Sequence, residues 1–116
     1  MKITLYGAPQ IAKDSEKTIV NKCTKKEVIT HSADYCFWRN SIIKQLRLKY
    51  IYNLKKCNIN YDFYLNKLED EERIDGYIRE INSCLIQTKV FDKDVCLTKS
   101  WSVIITNEMS RIEITI

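Results

Sequence analysis

Ile3 and Leu5 alternate with Lys2 and Thr4 at the start of the chain, the period of two that marks a half-buried strand, and Gly7-Ala8-Pro9 ends it. From Asp14 to Thr30 the pattern admits two readings. Asp14 or Ser15 can cap a short helix carrying Ile19, Val20 and Cys23, which is the preferred reading of the first half; the β-branched runs Thr18-Ile19-Val20 and Val28-Ile29-Thr30 also suit strands, and the second is left open. Next comes the clearest segment. Ser32 is a good N-cap, Asp34 places a negative charge in the first turn, and neither Gly nor Pro interrupts Ala33 to Cys57. At about 100° per residue, Tyr35, Trp38, Ile42, Ile43, Leu46, Tyr50, Leu54 and Cys57 share one arc, which predicts a single long amphipathic helix. Asn40, Lys44, Arg47 and Lys55 fall on its polar side. Phe37, Leu48, Ile51 and Tyr52 lie outside the apolar arc and are surplus to it, so they call for a second covering element or a partner.

A second helical pattern runs from Asn60, a potential cap, to about Gln87. Its phase reverses midway: Tyr61, Tyr64, Leu65 and Leu68 share one face, while Ile74, Tyr77, Ile78, Ile81 and Leu85 share the opposite one. One straight helix cannot bury both. The spacing therefore predicts a short helix, a bend at Glu69-Asp70-Glu71-Glu72, and a longer helix capped by Asp70; Gly76 is the less favoured hinge. Beyond it the period returns to two. Val95 and Leu97, then Trp101, Val103 and Ile105, then Ile112, Ile114 and Ile116 alternate with polar neighbours and predict two or three antiparallel strands. Asp92-Lys93-Asp94 reads as a turn and Asn107-Glu108-Met109-Ser110 as a hairpin loop. The expected fold class is α+β: a small antiparallel sheet, formed by the N-terminal strand and the C-terminal hairpin strands, packed against two to four helices in a single domain spanning 1–116.

Composition narrows the function classes. A chain of 116 residues with 45% hydrophobic and 29% charged residues has room for one core and the balance of a folded protein. Two glycines and one proline leave little for a Gly-rich phosphate loop. Apolar runs such as Val103-Ile104-Ile105 are far below the roughly 20 residues that span a bilayer. The opening residues lack the features of a signal peptide, so the expectation is a cytoplasmic location and no membrane partner. In that compartment the five cysteines are expected to be free, buried thiols. Abundant Ile, Lys, Asn and Tyr imply AT-rich codons, as in a low-GC bacterium, its phage or a large DNA virus. The net charge of +4 permits nucleic acid as a partner without requiring it.

Chemistry-bearing residues are sparse. His31 is the sole histidine, which removes any two-histidine metal site; Cys23, His31 and Cys36 contain no close Cys pair. Cys23 or Cys36 with His31 and Asp34 has the residue types of a nucleophile pair but no local signature. The stretch Lys2-Ile3-Thr4-Leu5-Tyr6-Gly7-Ala8-Pro9 resembles the first strand and loop of glutaredoxin-like proteins, in which a cysteine at a helix start comes next. Gln10-Ile11-Ala12-Lys13 stands there instead and has no thiol, so the resemblance implies no redox site.

No catalytic, cofactor or metal residue is therefore assigned. Candidate partner contacts are the basic, aromatic-interleaved Lys44, Arg47, Leu48, Ile51, Tyr52 and Lys55, with the acidic Glu69, Asp70, Glu71 and Glu72. The expected function is a non-enzymatic protein-binding module, in the sharpest form a phage or viral accessory protein that inhibits a host defence factor. The alternatives are a small basic nucleic-acid binder and, last, a Cys/His enzyme; a homodimer is compatible with the surplus apolar residues.

Overall fold

The computed structural model describes residues 1–47 and 52–116. In chain order it contains β1 (Lys2–Tyr6), a single 3-10 turn (Ala12–Ser15), β2 (Glu16–Val20), β3 (Glu27–His31), α1 (Ala33–Leu46), β4 (Leu54–Leu65), α2 (Glu71–Gln87), β5 (Phe91–Ile105) and β6 (Arg111–Thr115). The class is α+β, as expected. The sheet, however, is mixed: four strands run in the order β1-β6-β4-β5, while β2 and β3 form a separate two-stranded ribbon.

Both helix starts obey their caps. The Ser32 hydroxyl accepts from the Tyr35 N–H and the Asp70 carboxylate from the Arg73 N–H. The buried stripes, Tyr35, Trp38, Ile42 and Leu46 on α1 and Ile74, Tyr77, Ile78, Ile81 and Leu85 on α2, are those the helical spacing selects. They pack on one face of the sheet against Ile3 and Leu5 of β1, Ile59, Tyr61, Phe63 and Leu65 of β4, and Ile112 and Ile114 of β6.

The expected long helix does not exist. Helix α1 ends at Leu46, Arg47 turns to extended backbone, and Leu54 and Cys57, placed in its arc, belong to β4. Nor does a helix start at Asn60. Burial along β4 alternates at Ile59, Tyr61, Phe63 and Leu65, so the apparent helical face of Tyr61, Tyr64, Leu65 and Leu68 coincides with a strand of period two; Leu68 is exposed in the connection. The preferred helix after Asp14 is likewise absent: the chain makes one 3-10 turn and then the β2–β3 hairpin. Gly76 is no hinge either. It lies within α2, where a Cβ would stand 2.8 Å from Ile11 Cδ1, so its missing side chain admits the loop that packs over the helix.

The C-terminal strands are two, within the expected two or three, but β5 is longer than expected and the pairing differs. Strand β5 runs unbroken through Asp92-Lys93-Asp94 and pairs parallel with β4, α2 supplying the crossover that parallel strands need. After an irregular start the ladder is continuous from Lys56↔Cys96 to Leu65↔Ile105. Residues 107–110 do not close a hairpin. They carry the chain past the end of β4, where the Thr106 N–H donates to the Leu65 carbonyl at 2.8 Å, and β6 then inserts antiparallel between β4 and β1.

Candidate functional site

The β2–β3 ribbon is the feature with the least internal cover. Its register sets Ile19 opposite Val28, Thr18 opposite Ile29 and Val20 opposite Glu27. Ile19 and Val28 therefore share one face, and Val20 and Ile29 meet diagonally on the other. All four are more than half exposed, Ile19, Val28, Val20 and Ile29 at 56, 55, 54 and 66% respectively. A two-stranded hairpin is marginal on its own in water, and hairpins in domains ordinarily bury one face; this one leaves aliphatic groups in solvent on both.

Local chemistry closes the far end of the ribbon. Asn21 Oδ1 accepts from the Cys23 and Thr24 N–H groups, the Asn21 N–H donates to the Lys26 carbonyl at 2.9 Å, and Lys25 takes the left-handed conformation (φ 56°) that reverses the chain. Exposed Lys22, Lys25 and Lys26 give this tip a positive charge. At the near end the 3-10 turn that leads into the ribbon, and His31 at its exit, are tied to the helices. Arg73 on α2 reaches Asp14 at 2.8 Å, and the His31 ring lies 5.0 Å from that of Tyr35. Glu80 accepts from the Ala12 N–H (3.1 Å) and the Tyr35 hydroxyl (2.7 Å) and stands 3.6 Å from Arg39. Burial, reinforced by the Glu80 carboxylate, pushes the Tyr35 hydroxyl up to about 12, so at neutral pH it is a fixed donor. The base is held by its bonds and the tip projects.

The residues singled out from the sequence are scattered. Lys44 is exposed on the last turn of α1 and Arg47 is its exposed C-cap; Tyr52 is 52% exposed in the connection to β4, and Lys55 is exposed on that strand. Leu48 and Ile51 lie outside the described residues. Of the acidic run, Asp70 is the α2 cap and Glu69 bonds Arg73 at 3.1 Å and accepts from the Tyr77 hydroxyl, which leaves Glu71 and Glu72 as exposed first-turn carboxylates. Cys23 sits in the ribbon tip and His31 at the other end of β3, separated by on the order of 15 Å of extended chain, so these two are not brought together. The cysteines are free, but Cys23, Cys36 and Cys96 are exposed and only Cys84 is fully buried, which corrects the expectation of buried thiols. Among the described residues no group of His, Cys, Asp and Glu is arranged to hold a metal ion, and no helix is long and apolar enough to cross a membrane.

A helical reading of the sequence hides the ribbon. Two β-branched runs of similar length flank a lysine-rich polar loop that opens with Asn21, which is a hairpin signal once the Asp14 cap is set aside. Comparison with protein-family models and with curated proteins gives no match, so the surface is interpreted from its own geometry.

Proposed function

We propose that this chain is a non-enzymatic protein-binding module whose ribbon, β2–β3, is the principal contact element. The observation that carries the reading is the exposure of Ile19, Val20, Val28 and Ile29 on a hairpin with a polar, bonded base. Covering the exposed half of each side chain is worth about 1 kcal/mol, so a partner enclosing all four gains about 4 kcal/mol, enough for a binding hot spot. The lysines at the tip favour a partner whose apolar patch has an acidic fringe. The codon bias implied by the composition fits an accessory protein of a phage or virus acting in the cytoplasm on a host factor.

The runner-up is a nucleic-acid binder, since a two-stranded ribbon with basic residues fits a major groove. The aliphatic flanks favour protein. Affinity capture with the wild-type chain and an Ile19→Thr/Ile29→Thr variant, each with and without nuclease, separates the two readings. The proposal expects a nuclease-resistant protein partner that the variant loses. A partner that vanishes with nuclease, and whose binding to a Lys22→Glu/Lys25→Glu/Lys26→Glu variant is abolished, would replace it with the basic-ribbon reading.

A further inference from the structure

Strand β5 is fifteen residues long and lies at the sheet edge, hydrogen-bonded to β4 alone. Its outer side therefore presents a row of backbone N–H and C=O groups to which no strand among the described residues is paired. The usual protections are missing from the regular stretch Cys96–Ile105: it has no proline, its one irregularity precedes it, and Lys99 is its only charge. Trp101, Ile104 and Ile105 are 39, 39 and 50% exposed there.

We infer that this edge pairs with β5 of a second copy of the chain, antiparallel, about a twofold axis normal to the sheet and passing through Ser100. The choice of occupant rests on self-complementarity. Such an axis keeps the odd-numbered residues of both strands on the helix side. It sets Val95 opposite Ile105 of the second copy, Leu97 opposite Val103, and the Lys99 ammonium opposite the Trp101 ring, a cation–π pair. On the outer side Thr98 meets Ser102. Moving the axis to Lys99 puts two ammonium groups face to face, and moving it to Trp101 leaves Lys99 against Val103. Ser100 is also the middle of the regular ladder, so this register pairs the greatest length of straight strand. The two sheets become one, and the apolar row at each edge is covered by its own copy. The β5 edge is separate from the ribbon, so the dimer stands or falls independently of the ribbon's partner.

Ser100 is exposed, and its hydroxyl donates only to Asn60 Oδ1, at 2.9 Å. Placed on the axis, it faces itself, which makes a charge exchange decisive. Sedimentation equilibrium of the wild-type chain should give a dimer in the micromolar range. Ser100→Asp alone and Ser100→Lys alone should each raise the dissociation constant at least tenfold, and an equimolar mixture of the two should restore a two-chain species. Lys99→Glu, which changes an exposed side chain, should raise it at least threefold. A wild-type chain that stays monomeric up to about millimolar concentration overturns the inference, as does a mixture that assembles no better than its components. Should the Ser100 variants lose strand content by circular dichroism, the wild-type mass and an unaltered dissociation constant for Lys99→Glu each remain sufficient to overturn it. Ile19→Thr/Ile29→Thr should leave the dimer unchanged.

Discussion

The two edges of the main sheet are finished in opposite ways. At one, β1 is five residues long, and the Gln45 carboxamide of α1 clasps its last residue: the Tyr6 N–H donates to Oε1 at 2.9 Å, and Nε2 donates to the Tyr6 carbonyl at 3.1 Å. At the other, β5 runs for fifteen residues with no comparable cover among the described residues. Short length and a side chain that satisfies the backbone are ways a monomer protects an edge. Their presence on β1 and absence on β5 set a short border whose last residue the chain itself clasps against a long border that no strand among the described residues covers. The ribbon repeats the second condition, as β-structure whose aliphatic groups the chain does not bury.

The strongest way to break the comparison is to remove the strand that supports both borders. Strand β4 pairs with β5 and β6, and Phe63, near its C-terminal end, is fully buried beside Tyr77. Phe63→Ala should cost about 3–5 kcal/mol in urea unfolding and loosen both edges together. Gly7→Ala acts on the β1 side alone. Its φ of 125° is poorly tolerated by a side chain, and the added Cβ would lie 3.3 Å from Trp38 Cδ1, so a loss of about 1–3 kcal/mol is expected in the same measurement.

Opening the clasp sharpens the contrast. Gln45→Ala should cost about 1 kcal/mol and speed amide exchange at Tyr6 while leaving β5 amides as they were. The smallest effect is alkaline. Because the Tyr35 hydroxyl is raised from an ordinary value of about 10 to about 12, its contribution to stability is complete below pH 10 and is lost as pH rises through 12. Tyr61 and Tyr77 are also raised by burial, so Tyr35→Phe should reduce the alkaline loss of stability rather than abolish it.

Much of this architecture is legible in the residues. Ile3 and Leu5, the Ser32 and Asp70 caps, the α2 stripe from Ile74 to Leu85, and Ile112 with Ile114 each carry a period and a boundary that agree. The end of α1 is not legible, because no glycine or proline marks it and Leu54 and Cys57 happen to continue its arc. Asn53 is the signal in retrospect: it adopts φ 48°, a left-handed turn that Asn tolerates, and its N–H donates to the Lys89 carbonyl at 2.8 Å where β4 begins. The parallel pairing of β4 with β5 depends on contacts remote in sequence, so no local period reports it. The candidate surfaces are hidden for the same reason. Whether a β-branched run such as Val28-Ile29-Thr30 is buried or bare depends on where its neighbours go. By contrast, Glu69 looks like free charge in the sequence but is bound to Arg73 and Tyr77 in the fold.

Amide hydrogen exchange on the wild-type chain, measured from low to high micromolar concentration, compares both edges in one experiment. The account predicts that the β5 amides between Cys96 and Ile104 that point away from β4 gain protection as concentration rises, while those of β1 keep the protection they already have. Equal behaviour of the two edges at every concentration, or protection of those outward-pointing β5 amides already complete at the lowest concentration, would contradict it.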